Sequence, residues 1–409
     1  MFSFHTKMSL LKAVITKNSP FYIQFYVTGK CNLRCRHCGI VNANKKIRDV
    51  TLGEVEKIAD NLVKIGAGVV VLMGGEPFLR KDYPQIVKIF VDRGLDVRLQ
   101  TAGMRVATPE MLEKCVEAGA KDINISLDTL DPKKQDYINR APNSWNNAIK
   151  TIAQVSQIFP KKDAFTCFGT VLSAFNYAEI PIILKLATRI GWHLSLVPVH
   201  IRQSNETMAY RSSDSEFLVD EKDFAELEGV FSTLHSMRKQ GYNLFDSKKY
   251  LESSLDFMKT GQPTWRYKGV CDSPNLYFAI RPNGDFAICA DKQLKENQVS
   301  VIDPDFPKIF KSKEFRAETK KVTRQCNGCQ YGSYPEMTIS SRYPSGMWDR
   351  LTSALKVQKD GIRSYSYEEL IQLIDEIKSE HPKVYDVDKN ISKYNNWLIH
   401  EKTAVAQTE

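Results

Sequence analysis

The chain has 409 residues, 42% hydrophobic and 26% charged, with a formal net charge of +9. That length accommodates a main domain and one or two smaller ones. An apolar run of transmembrane length and a cleavable signal peptide are both missing, which predicts a cytoplasmic protein without a membrane span. Lysines and arginines are scattered among acids with no long basic block, which predicts a generally basic surface and no nucleic-acid partner.

Residues 1–20 read as an arm over one end of the fold. An aromatic and β-branched strand, Phe21–Val27, then runs into the turn Thr28-Gly29-Lys30. Cys31, Cys35 and Cys38 follow, interleaved with Arg34, Arg36 and His37 in a polar loop. Three thiolates hold three corners of a four-iron cluster, whereas four are needed to close it, so such a triplet leaves one iron open to bind and activate a ligand. A structural zinc site is the alternative, although zinc normally takes paired cysteines and a complete set of four ligands.

Thr51 and Glu54 form a capping-box pattern ahead of a helix. A buried strand at Gly68–Met73 runs directly into Gly74-Gly75-Glu76-Pro77. The alternation continues with a helix about Tyr83–Arg93, strand Asp96–Gln100, helix about Pro109–Ala118 and strand Asp122–Leu127. Helix Ser144–Ile158, strand Ala164–Leu172, helix Ala178–Ile190 and strand His193–Val199 complete it. Six strands alternating with helices predict right-handed crossovers and a parallel sheet. The cysteine loop and the Gly-Gly-Glu-Pro turn both follow strands, so both belong to the carboxyl edge, where such sheets place their chemistry.

These residues carry a family resemblance. Cys31-Asn32-Leu33-Arg34-Cys35-Arg36-His37-Cys38 followed by Gly74-Gly75-Glu76-Pro77 resembles the radical S-adenosylmethionine (radical SAM) superfamily. The resemblance implies an α/β fold, a partial (β/α)6 TIM-like barrel. It also implies a 4Fe-4S cluster on the triplet, with SAM chelating the open iron. In that family, reductive cleavage of SAM yields a 5′-deoxyadenosyl radical that abstracts hydrogen from a substrate. Carried over position by position, the resemblance makes His37, Gly74, Gly75, Glu76, Ser126, Asp128 and Val171 the SAM-contacting residues. The glycines leave room for the methionine end of SAM, and Glu76 is expected to accept a charge-assisted hydrogen bond from its ammonium group. Thr101, Asn176 and Glu179 match further family positions less closely, and Ala102 replaces the usual Asn.

A second cysteine set lies downstream. Cys271 and Cys289 flank Leu276–Arg281, Pro282-Asn283-Gly284-Asp285 and Phe286–Ala290, which read as a β-hairpin. A helical stretch at Phe306–Thr319 precedes Cys326 and Cys329. The arrangement resembles the SPASM region in its shortened twitch form, and no cysteine follows Cys329. The resemblance implies one closed auxiliary 4Fe-4S cluster; read without it, four cysteines in two pairs also suit zinc. Cys115 and Cys167 lie in apolar surroundings and are expected in the core.

The expected organisation is an arm at 1–20, a barrel at 21–205, a helical connector at 206–265, a β-hairpin and helix cluster domain at 266–335, and a helical tail at 336–409. The connector's helix, Glu221–Gln240, has Asp220 as its expected N-cap. Tyr367–Lys378 reads as an amphipathic helix, with Trp348, Tyr365, Tyr394 and Trp397 available to cover the barrel mouth, a subunit or the body. His200 and Arg202 follow strand six and are candidates for substrate contact.

The expected function is a redox transformation, such as dehydrogenation, of a small specialised metabolite, with the auxiliary cluster in electron transfer and a reductase such as flavodoxin or ferredoxin as donor. The alternatives are modification of a ribosomally made peptide or protein, and a non-catalytic iron–sulfur carrier.

Overall fold

The computed structural model describes residues 2–44, 46–201, 211–294 and 296–385. Six strands form the frame: β1 (Tyr22–Thr28), β2 (Val69–Gly74), β3 (Asp96–Thr101), β4 (Asp122–Ser126), β5 (Thr166–Leu172) and β6 (His193–Pro198). Helices α1 (Phe4–Thr16), α2 (Ile40–Ala43), α3 (Leu52–Ile65), α4 (Tyr83–Val91), α5 (Pro109–Glu117), α6 (Pro132–Asn139), α7 (Ser144–Ile158) and α8 (Ile180–Arg189) precede or connect them. After β6 come α9 (Phe224–Lys239), α10 (Lys248–Thr260), the short strands β7 (Tyr277–Ile280) and β8 (Phe286–Ala287), α11 (Phe306–Lys311) and α12 (Lys313–Arg324). Helices α13 (Ser333–Arg342), α14 (Pro344–Asp360) and α15 (Tyr367–Ser379) follow.

The sheet runs β6-β5-β4-β3-β2-β1-β7-β8. Every pair is parallel except β7 with β8. This is an α/β partial barrel of six parallel strands, as its sequence predicts. The hairpin, however, does not form a sheet of its own, because β7 pairs directly with β1 through Tyr22 to Phe25.

Alternation along the strands separates two environments, since successive side chains point to opposite faces. Ile23, Phe25, Val70, Leu72, Val97, Leu99, Ile123 and Ile125 point outward and are buried beneath the helices in the main core. Gln24, Val71, Arg98, Gln100, Asn124, Ser126, Cys167 and Ser195 point inward and line a lumen. The outward face builds the fold, and the inward face is left for chemistry.

The sheet does not close, its edge strands being β6 and β8, and the start of α13 bridges β6 and β1. Gly332 approaches Val197 and the Leu196 carbonyl. The buried Tyr334 ring stacks on Tyr277 at 4.8 Å, and its hydroxyl bonds Gln24. Tyr22 Oη and Ser333 Oγ lie 2.9 Å apart.

Several local expectations need correction. The stretch Phe306–Thr319 is two helices divided at Ser312, whose hydroxyl accepts from the Phe315 N–H and caps α12. Asp220 makes no side-chain cap; the connector helix opens as a 3-10 turn, Glu221–Asp223, before α9. The amphipathic helix α15 buries Leu370, Leu373, Ile374 and Ile377 and packs on α7 and α8, which is the packing against the body that its sequence allows. Trp348 is 66% exposed, while Tyr394 and Trp397 lie outside the described residues. No helix among the described residues is long and apolar enough to cross a membrane.

Candidate active site

Cys31, Cys35 and Cys38 are free thiols in the loop between β1 and α2. They face a cavity of about 270 Å³ whose wall also includes His37, Gly74, Gly75, Ser126, Asp128 and Val171. Residues from four segments, distant in sequence, therefore meet at the carboxyl edge of the sheet.

The cysteine loop is fixed from several sides. The Leu33 N–H donates to Cys31 Sγ at 3.4 Å, the Cys35 thiol to Asn139 Oδ1 at 3.3 Å, and the Arg36 N–H to the Ile138 carbonyl at 2.8 Å. The Arg36 guanidinium lies 4.2 Å from the centre of the Tyr137 ring and pairs with Asp214 and Glu216. Helix α6 thus anchors the loop, and it was not recognised in the sequence. Asp131-Pro132 carried the signal, an N-cap acid before a proline at the first helical position; Asp131 accepts from the Lys133 and Lys134 N–H groups.

The two glycines make room first of all for this loop. A Cβ on Gly75 would lie 2.0 Å from the Lys30 carbonyl oxygen and 3.0 Å from Cys31 Cβ; one on Gly74 would lie 2.4 Å from the Thr28 oxygen. Gly75 N–H and Glu76 N–H donate to the Thr28 and Lys30 carbonyls, joining the two motifs through backbone.

Glu76 does not line the cavity. It is fully buried and accepts from the Ala102 N–H and Thr101 Oγ1, both at 2.9 Å, and from the Phe78 N–H at 3.2 Å. Burial pushes its carboxyl up to about 7 despite these donors. Asp128 does face the cavity, with Oδ1 accepting from the Val171 N–H at 2.7 Å, and burial raises its carboxyl as well. Asn176 donates to the Asp128 and Val171 carbonyls, tying the ends of β4 and β5 together. Glu179 is buried beneath them, bound by Thr129, Leu130 and Lys134. His37 Nδ1 is buried without a hydrogen bond, and burial lowers the imidazole, so the ring is neutral.

Burial raises the Cys31 and Cys35 thiols and pushes Cys38 up to about 12. The thiolate is the metal-binding form, so ligation here requires a cation's charge to hold it. Three free thiols, a glycine cradle and the unsatisfied His37 nitrogen fit an iron–sulfur cluster with a ligand beside it.

The second set also converges. Burial raises Cys271, Cys289 and Cys329, and each is raised further by others of the four. Trp265 Nε1 donates to the Cys329 carbonyl at 2.7 Å and Arg266 to the Cys326 carbonyl at 2.8 Å, while Gly328 adopts φ +99° between the pair. Among the described residues no group of three or more His, Cys, Asp or Glu is placed to hold a single metal ion. Ligands of one zinc crowd to roughly 4 Å from each other, whereas cluster thiolates bind separate irons. Cys38 and Cys271, Cys289 and Cys329 all pack on one apolar cluster containing Tyr22, Tyr26, Tyr277, Tyr331 and Tyr334.

His200 borders the same cavity: it is buried, its Nε2 accepts from the Gln330 N–H at 2.9 Å, and its ring stacks on Tyr331 at 4.0 Å. Burial is the main cause holding its imidazole down at about 3. Arg202 lies outside the described residues. Cys115 is in the core, whereas Cys167, also buried, borders the lumen. The lumen's own polar residues belong to no motif. Arg98 Nε and Asn124 Oδ1 are buried without a hydrogen bond. The Arg98 guanidinium lies over Phe165, 4.3 Å from the ring centre, and 4.0 Å from Asp122. Their inward phase on β3 and β4 was the available signal.

Residues 25–187 match the family model described as the Radical SAM superfamily. This segment, with the cysteine triplet and the glycine turn, is a radical SAM domain. The AdoMet-dependent heme synthase of Methanosarcina barkeri is 31% identical over 175 residues, 42% of this chain and 49% of that protein. The chain thus spans about half the length of such curated relatives. The mycofactocin maturase MftC of Mycolicibacterium smegmatis is 24% identical over 321 residues, 74% of this chain and 73% of that protein. Streptococcus suis SuiB bound to S-adenosylmethionine shares the fold, with a TM-score of 0.58 at 14% identity over 79% of this chain and 76% of that one.

Proposed function

We propose that this chain is a radical SAM enzyme. Cys31, Cys35 and Cys38 hold a 4Fe-4S cluster with one open iron, and SAM lies along the wall formed by His37, Gly74, Gly75, Ser126, Asp128 and Val171. When bound, the pair supplies reductive cleavage of SAM to a 5′-deoxyadenosyl radical that takes hydrogen from a substrate. The observation that supports this most is the meeting of the cysteine loop and three other segments on one cavity.

The chain's own residues have distinct tasks. Glu76 acts as a positioning residue, holding the glycine turn to the end of β3. Asp128 keeps one carboxylate oxygen committed to Val171 and offers the other to the ribose side of SAM. Cys271, Cys289, Cys326 and Cys329 hold a closed auxiliary 4Fe-4S cluster. The tyrosine-rich cluster between the two cysteine sets is the medium for electron transfer. The proposed domains follow this division: an arm, a barrel over 21–205, a connector, a twitch-type region over 266–335 and a helical extension.

The substrate occupies the lumen, where Arg98 Nε and Asn124 Oδ1 await partners. A cavity of about 270 Å³ suits a redox transformation of a small metabolite. A second reading, modification of a peptide side chain, is favoured by the likeness to the mycofactocin maturase, whose 321 aligned residues extend beyond the radical SAM segment. A flavodoxin or ferredoxin in a reducing cytosol would deliver the electron.

Anaerobic reconstitution with iron and sulfide counting tests the proposal. The wild type should hold about eight irons, and the Cys31/Cys35/Cys38→Ala variant about four. Only the wild type should release 5′-deoxyadenosine from SAM under reduction. Release by the triple variant, or none by the wild type, would sink the proposal. Deuterium transfer into 5′-deoxyadenosine then separates metabolite from peptide substrates.

A further inference from the structure

Two arginines, Arg98 and Arg350, and two carboxylates, Asp128 and Glu336, line the cavity. Most of this charge is already answered. Arg350 pairs with Glu336 at 3.1 Å and donates to the Phe245 carbonyl at 3.1 Å. Asp128 stands at the cysteine end, near His37 and committed to the Val171 N–H. Asp246, next to the lining residue Phe245, accepts from Ser195 Oγ at 3.0 Å and from the Leu196 N–H at 2.7 Å. Arg98 is the exception.

The Arg98 side chain is only 17% exposed, yet its Nε is buried without a hydrogen bond. Asp122 Oδ2 is 4.0 Å from the guanidinium, too far to accept one, and Asp122 Oδ1 is engaged by the Phe165 N–H at 3.0 Å. Asp122 therefore offsets part of the charge without meeting the donors. Aromatic rings hold the guanidinium in place, its central carbon lying 4.3 Å from the centre of Phe165 and 5.9 Å from that of Phe245. On the next strand, Asn124 Oδ1 is also buried without a hydrogen bond. Asn124 pairs in register with Gln100, which lines the same cavity. Gly169 on β5 makes room for the Asn124 amide, since a Cβ there would lie 2.8 Å from both Oδ1 and Nδ2. Two strands thus bring a guanidinium and two amides to one lumen, and a third is cut back to admit them.

We propose that Arg98, Asn124 and Gln100 anchor a carboxylate of the substrate, which is a small monocarboxylic acid reacting at a carbon remote from its acid group. The inference rests on the reading that the lumen receives the substrate. A guanidinium presents a planar fork of N–H donors that matches the two oxygens of a carboxylate, and side-chain amides add donors beside it. One unanswered cation meets one negative charge, which favours a carboxylate over a phosphate dianion. At about 3.3 Å per residue, Asn124 lies roughly 7 Å along β4 from Ser126 and roughly 13 Å from Asp128. The acid group is therefore held away from the wall assigned to SAM, and the carbon facing that wall is several bonds from it.

NMR titration of the anaerobically reconstituted, isotope-labelled full chain tests this, with hexanoate and hexanamide as probes. Their six-carbon chain covers about the 7 Å between Asn124 and Ser126. The Arg98 Nε–Hε resonance, assigned by its loss in Arg98→Lys, should shift saturably with hexanoate. Hexanoate should bind the wild type at least about tenfold more tightly than hexanamide, a comparison that needs no variant. Arg98→Lys keeps the charge without the fork and should weaken hexanoate at least about tenfold. Asn124→Asp keeps the shape but sets a like charge beside the acid; it should weaken hexanoate at least about tenfold and leave hexanamide unchanged. Circular dichroism and iron content of both variants should match the wild type. Equal binding of acid and amide, tighter binding of hexyl phosphate, no binding of any probe, or hexanoate binding that either variant leaves unaltered overturns the proposal. The two readings fail separately. A wild type that releases 5′-deoxyadenosine but binds acid and amide equally rejects the anchor alone. Acid-selective binding through Arg98 in a protein that releases none rejects the radical SAM reading and leaves the anchor standing.

Discussion

Glu76 shows how a buried motif residue can tie two strand ends together. Its three donors come from Phe78, Thr101 and Ala102, so the side chain locks the end of β2 to the end of β3. Its carboxyl sits near 7 when folded, above the usual 4.5. The neutral form is thus favoured in the native state, and its stabilising share is full below about pH 4.5 and lost as pH rises through about 7. Denaturation midpoints should reveal this: the wild type should lose stability relative to Glu76→Gln between pH 5 and pH 8, by at most about 3 kcal/mol. Parallel curves would show that the carboxyl is not perturbed. Gly75 makes a sharper case. Gly75→Ala should displace the Lys30–Cys31 backbone and empty the triplet while sparing the second site, so reconstituted iron should fall from about eight to about four.

Among the elements, α6 and α15 have opposite histories. Helix α15 is legible because Leu370, Ile371, Leu373, Ile374 and Ile377 recur at helical spacing; the structure adds a capping box of Ser366 with Glu369. Ser366→Ala should cost about 1 kcal/mol in thermal or chemical unfolding, because the Glu369 N–H loses its acceptor. Helix α6 is short and polar along much of its length, so its periodicity is weak even though it carries Asn139 to the Cys35 thiol. Asn139→Ala should leave overall stability within about 1 kcal/mol but slow or reduce cluster loading at the triplet, read by absorbance during reconstitution. Equal loading would show that the loop holds its shape without α6.

Across the whole molecule, the six-stranded frame leaves one side open, and residues more than 300 positions from β1 close it. Tyr334 and Ser333 on α13 reach Gln24 and Tyr22, and the β7–β8 hairpin extends the same sheet. The region after the barrel is therefore part of the barrel's integrity. A chain shortened to end before Ser333 should lose cooperative unfolding and bind the hydrophobic dye ANS, since a row of aromatic side chains would be bared. A sharp two-state transition in that shortened chain would refute this view.

The sequence alone determined the strand count, the parallel alternation and the positions of seven candidate cluster cysteines. These are local properties: a period of two or 3.6, a turn after a strand, a spacing between thiols. Ser126, Asp128 and Val171, singled out by the family resemblance, lie on the cavity wall. Only the tertiary structure decided which polar groups face inward together, that Glu76 turns away from the cavity, that His200 stacks on Tyr331 at the cavity wall, and that β7 joins β1. Parallel pairing leaves no local signature, because the partners' hydrogen bonds depend on a crossover rather than a turn.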